Sequence, residues 1–72
     1  LRKWLQNIRK EKRMTQEATA ILAGISRAYY TNIENGIRGE ALPVETAKKI
    51  ATALDFDWIK FYEDENEETA SS

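Results

Sequence analysis

Apolar residues recur along this chain at helical spacing, and nowhere do they alternate as in a strand. Leu1, Trp4, Leu5 and Ile8 fall at i, i+3, i+4 and i+7, which predicts an amphipathic helix over residues 1–12. Met14 ends that stretch. Thr15 is placed to cap a second, alanine-rich helix over residues 16–23, and Gly24 is the residue that stops it. Ile25 fills the corner, Ser26 caps a third helix from Arg27 to Asn35, and Asn35-Gly36 closes it. Residues 37–42 read as a loop, and Pro43 suits the first turn of a fourth helix. Val44, Ala47, Ile50, Ala51 and Leu54 form the apolar stripe of that helix. Asp55 falls where the chain must turn, and Asp57 caps a short fifth helix over residues 58–62.

The fold class is therefore all-α, in one domain over residues 1–62, followed by an acidic, flexible tail over residues 63–72. A chain of 72 residues buries a modest core and has little stability to spare.

Charge changes the picture more than length does. Residues 1–54 carry ten Lys and Arg against five Asp and Glu, a charge of +5, whereas residues 55–72 carry Lys60 against seven acids, a charge of −6. The net charge of −1 thus hides a basic body suited to a polyanion and a tail that opposes it. Cysteine and histidine are both absent, which removes disulfides, thiolate chemistry and the commonest metal ligand and general base. No metal, cofactor or enzymatic activity is expected, because nothing arranges the carboxylates, lysines and hydroxyls as nucleophile and base. No apolar run approaches the ~20 residues of a membrane span, so the expected location is the cytoplasm.

The stretch from Gln16 to Ile33 carries the most information. Thr19, Ala20 and Ala23 line one side of the second helix, Gly24 permits a sharp turn, and Tyr30 and Ile33 face inward from the third. Small residues at a close crossing and a glycine-containing turn are the layout of a helix-turn-helix. Arg9, "TQEATAILAGIS", "IENG" and "PVETAKKIATAL", in that order, resemble the Cro/C1-type (XRE-like) helix-turn-helix domain of phage and prophage repressors over residues 2–62. The resemblance implies a compact five-helix, lambda-repressor-like domain that inserts its third helix into the major groove of double-stranded DNA.

Carried over position by position, the resemblance assigns base reading to Arg27, Ala28 and Asn32, with Thr31 on the same exposed arc. Arginine can grip guanine and asparagine adenine with two hydrogen bonds, and Ala28 or the Thr31 methyl can meet a thymine methyl. Gln16 falls where the family holds a phosphate at the start of the second helix, and Asn35 matches a phosphate-contacting position beyond the third. Tyr29 and Arg38 are further phosphate candidates. Arg9 and Glu34 match a partly buried ion pair that ties the first helix to the end of the third.

The resemblance further implies a homodimer on a palindromic operator, with Trp58, Ile59 and Tyr62 as candidate dimer contacts and Trp58 and Phe61 partly in the core. Three features depart from the family pattern. Ile21 and Leu22 stand where polar residues are usual, so they are either tucked under a neighbour or mark a surface for a protein partner. The loop before Pro43 is long and carries Glu40, and Asp55 replaces a glycine. An antitoxin using the same domain on DNA, and a protein-interaction module that kept the fold, are the competing readings.

Overall fold

The computed structural model describes residues 1–36 and 42–63. Four helices are defined there: α1 (Lys3–Glu11), α2 (Gln16–Ala23), α3 (Arg27–Asn35) and α4 (Val44–Leu54). Residues 60–63 are again helical, and no strand occurs among the described residues.

The helix ends follow from the residues that cap them. The Thr15 hydroxyl accepts the Ala18 N–H at 3.0 Å and starts α2. The Ser26 hydroxyl does the same for the Tyr29 N–H at 3.1 Å and starts α3. Gly24 and Gly36 end those helices at φ 74° and 69°, the left-handed conformation that an L side chain resists. Beyond Gly24 the Ile25 N–H returns to the Ala20 carbonyl at 3.0 Å, closing the tight corner between α2 and α3. Asp57 caps the last turn, its carboxylate accepting the Ile59 N–H at 3.1 Å.

α2 lies against both α3 and α4, and α1 packs on α3. Leu5, Tyr30, Ala47, Ile50, Leu54 and Phe61 are wholly buried between them, and Ala20 of α2 is buried with them. Trp4, Phe56 and Phe61 form an aromatic cluster with ring centroids 5.1 to 5.7 Å apart, the first two pairs edge to face. That cluster fastens the C-terminal turn to α1, so Phe61 belongs to the core outright and Trp58 only to its edge.

Several local expectations need correction. α1 begins at Lys3, and Leu1 is 71 % exposed instead of sharing the face of Leu5. The segment before α1 is instead held by polar bonds: the Arg2 N–H donates to the Glu34 carbonyl at 2.8 Å, and its guanidinium to the Ile33 carbonyl at 2.7 Å. The Glu34 carbonyl is one of those at the end of α3 that the helix itself cannot pair, and the Ile33 carbonyl also accepts the Gly36 N–H at 3.1 Å. Pro43 is the N-cap of α4, one position outside its first turn, and Val44 is exposed, outside the stripe of Ala47, Ile50, Ala51 and Leu54. Leu42 lies outside any helix, as expected, but its side chain is buried. After α1 the chain turns through Arg13 at φ 59°, a left-handed residue that the sequence does not announce. Asp55 adopts φ 61° at the expected turn. The remainder of the expected loop, residues 37–41, and residues 64–72 of the expected tail lie outside the described residues.

Candidate nucleic-acid interface

Helical periodicity divides α3 into two faces. Tyr30, Ile33 and Glu34 point inward and are buried. Arg27, Ala28, Tyr29, Asn32 and Asn35 are exposed, and Thr31 is half-buried on the flank toward the start of α2. Ala28, Asn32 and Asn35 occupy the middle of the outward arc, since positions three and four apart stack on one face. Arg27 stands beside the N-terminus of α2. Together with Arg9, Thr15, Gln16 and Glu17 it lines a depression of about 310 Å³.

Beneath this face runs a chain of polar side chains. Glu34 is fully buried, yet both its oxygens are engaged. Oε2 accepts from Arg9 Nε at 2.6 Å and from the Tyr30 hydroxyl at 2.7 Å. Oε1 accepts from Gln16 Nε2 at 2.8 Å and more weakly from Arg9 Nη2 at 3.4 Å. The expected Arg9–Glu34 ion pair is therefore present and part of a larger network. Arg9 Nη1 adds a bond to the Met14 carbonyl at 2.9 Å, which secures the turn between α1 and α2.

The ionisation of these groups follows from the geometry. Burial pushes the Glu34 carboxyl upward, but hydrogen bonds from Arg9, Tyr30 and Gln16 outweigh it and hold the group below the ordinary glutamate value. Its hydrogen bond with Glu34 raises the Arg9 guanidinium. Burial, then the Glu34 hydrogen bond, push the Tyr30 phenol well up, so it remains a donor.

Gln16 bridges this network to the outer face. Its amide nitrogen donates to Glu34, and its carbonyl accepts the Thr31 hydroxyl at 3.1 Å. Sequence reasoning treated Gln16 and Tyr30 separately from the ion pair and missed this connection. The four-residue spacing of Tyr30 and Glu34 on one helix was the available signal.

The other candidates sit elsewhere. Trp58 and Tyr62 are half-buried and stack edge to face, centroids 6.0 Å apart, and the Tyr62 hydroxyl donates to the Leu42 carbonyl at 2.6 Å. Lys48 Nζ lies over the Trp58 ring, 5.2 Å from its centroid, while Ile59 is exposed. Ile21 and Leu22 are 69 % and 63 % exposed, so they are not tucked under a neighbour. Arg38 lies outside the described residues. Among those described, no group of His, Cys, Asp or Glu is arranged to hold a metal ion, and no helix is long and apolar enough to cross a membrane.

Comparison with known proteins agrees with this architecture. The helix-turn-helix family matches residues 5–61, which span α1 to Phe61. An uncharacterized HTH-type transcriptional regulator of Bacillus subtilis (strain 168), YqaF, is 52 % identical over 69 residues, covering 96 % of this chain and 88 % of that protein. With its α2–turn–α3 geometry, its buried Arg9–Glu34 pair and these matches, the chain belongs to the Cro/C1-type (XRE-like) helix-turn-helix family of DNA-binding transcriptional regulators.

Proposed function

We propose that this protein is a sequence-specific transcriptional regulator of the phage-repressor type, binding a palindromic operator as a dimer with α3 in the major groove. The observation that carries the reading is the outer face of α3, where Arg27, Ala28 and Asn32 stand exposed on a helix anchored from behind by Tyr30, Ile33 and Glu34. Arg27 and Asn32 are the principal base readers, each supplying roughly 1–3 kcal/mol of discrimination through a two-bond contact. Ala28 and Thr31 complete the reading arc. The depression at the start of α2 suits a phosphate, because backbone N–H groups and the helix dipole favour an anion there. Gln16 serves that contact, while Tyr29 and Asn35 reach phosphates around the edge of α3, Arg38 is a further phosphate contact, and all fix register without reading sequence.

One copy of the domain offers a small interface, and two-fold pairing through Trp58, Ile59 and Tyr62 doubles it. The exposed Ile21 and Leu22 favour a second element of the reading, a protein partner on the outer side of α2, as in an antitoxin that uses the same domain on DNA.

Selection from random duplex DNA tests the proposal. It is expected to return a two-fold site whose affinity falls steeply with salt as counterions are released. Arg27→Ala and Asn32→Ala are expected to erase preference at separate base pairs, whereas Asn35→Ala weakens all sequences alike. Equal affinity for selected and random duplexes would refute base reading, and occupation of a single half-site by a monomer would refute the dimer.

A further inference from the structure

We infer that buried Glu34 fixes the hydrogen-bonding polarity of Thr31, making it an acceptor that selects adenine or cytosine at one position of each half-site. The inference rests on the base-reading role proposed for α3 and names what one of its residues reads. Glu34 is a positioning residue in this scheme, acting through Gln16.

The argument follows hydrogens from the core outward. An ionised carboxylate has only acceptors. Glu34 is held in that form by four donor contacts from three side chains, so whatever faces Oε1 must donate. Gln16 meets Oε1 at 2.8 Å and therefore turns its NH2 group inward. Its carbonyl oxygen is then the atom that faces Thr31 at 3.1 Å, and a carbonyl carries no hydrogen. The single Thr31 hydroxyl hydrogen must point to Gln16. What remains for a ligand on the half-exposed side of Thr31 is a pair of acceptor lone pairs.

In the major groove only adenine N6 and cytosine N4 offer donors, whereas guanine O6 and N7, thymine O4 and adenine N7 are acceptors, so guanine and thymine have nothing to donate. An acceptor-only Thr31 therefore separates the four bases into two pairs. The same relay leaves Gln16 one further amide hydrogen, which suits a phosphate oxygen.

Selection from random duplexes by the full chain, followed by sequencing of the bound pool, tests the relay. Comparison with Thr31→Val identifies the position that Thr31 reads. Adenine and cytosine should be enriched there roughly threefold to tenfold, the worth of one net hydrogen bond. The preference should persist in Thr31→Ser and vanish in Thr31→Val.

Glu34→Gln gives the decisive readout. Its amide nitrogen is least opposed on the Oε1 side, because Arg9 Nε and the Tyr30 hydroxyl crowd Oε2 at 2.6 and 2.7 Å. Gln16 must then turn about, Thr31 must accept from it, and the freed hydroxyl hydrogen points outward. Guanine and thymine, shut out in the wild type, should then be accepted at the same position, so the preference for adenine and cytosine is lost. If Glu34→Gln does not fold, Gln16→Met decides instead: it cuts the relay and should flatten the preference at the Thr31 position.

A wild-type preference for guanine or thymine there overturns the relay, as does an unchanged preference in Glu34→Gln or Gln16→Met. So does a Thr31→Val variant that alters no position while Arg27→Ala and Asn32→Ala alter theirs, which leaves α3 reading intact. If none of those three substitutions alters any position, base reading by α3 has failed and the relay with it.

Discussion

Tyr30→Phe isolates one bond of the buried network. The ring is fully buried and phenylalanine fills the same space, so packing is conserved. The lost bond is the 2.7 Å contact from the hydroxyl to Glu34 Oε2. A hydrogen bond to a charged group contributes about 1.5–3 kcal/mol. Oε2 keeps Arg9 Nε at 2.6 Å and is not left unpaired, which argues for the lower end, about 1.5–2 kcal/mol. For a domain of this size each kcal/mol moves the midpoint by about 4–8 °C, so Tm should fall by about 10 °C at pH 7.

The dependence on pH gives a second check. Glu34 has a lowered value in the folded state, so its contribution to stability is complete above the unfolded glutamate value and is lost as pH falls through the folded one. Phenylalanine at position 30 removes one of the bonds that lower it. The gap between wild type and variant should therefore be full above the unfolded glutamate value of about 4.3 and narrow only as pH falls through the lowered folded value. Thermal melts followed by circular dichroism across that range measure both quantities. A fall of less than about 2 °C at pH 7 would refute the assignment of the loss to this hydrogen bond.

Two further substitutions test the scaffold. Phe61→Ala should cost about 3–5 kcal/mol in urea unfolding, because it removes the ring on which Trp4 and Phe56 pack and over which the Arg2 guanidinium lies at 5.6 Å. A loss below about 1 kcal/mol would mean that the C-terminal turn is not part of the cooperative unit. Asp55→Gly should stabilise by about 0.5–1 kcal/mol by relieving the left-handed conformation at φ 61°. The 3.9 Å approach of Lys12 to Asp55 opposes this little, since both side chains are well exposed. A destabilised Asp55→Gly variant would show that this pair matters more than its exposure allows.

Much of the fold was legible because helix punctuation is local. Thr15, Gly24, Ser26 and Gly36 each act on backbone groups within a few residues, and α2 and α3 begin and end where those residues demand. Periodicity likewise separated Tyr30 from Tyr29 on α3. The failures are long-range. Leu1 has helical spacing but stands exposed ahead of α1, where Arg2 is held on the carbonyls at the end of α3. Gln16 and Glu34 are 18 positions apart, and no period joins them. The candidate site was visible as a set of side chains, but its internal wiring depended on how α1, α2 and α3 converge.

That convergence explains why a charged group sits in so small a core. An apolar set of similar volume in place of a buried ion pair is often neutral or stabilising, so stability alone is a weak reason for Arg9 and Glu34. What an apolar set lacks is direction. Glu34 draws donors from α1, α2 and its own helix, and each donor must present a defined atom. The pair therefore ties α1 and α2 to α3 at defined atoms and, in the relay proposed above, sets through Gln16 which way a hydrogen points on its outer face. A variant with apolar replacements at Arg9, Gln16 and Glu34 and phenylalanine at Tyr30 should remain helical and melt cooperatively. It should nevertheless bind its DNA with preference flattened at the Thr31 position. If instead that position keeps its full preference, the network is scaffold alone, and the polarity of Thr31 is set by the DNA.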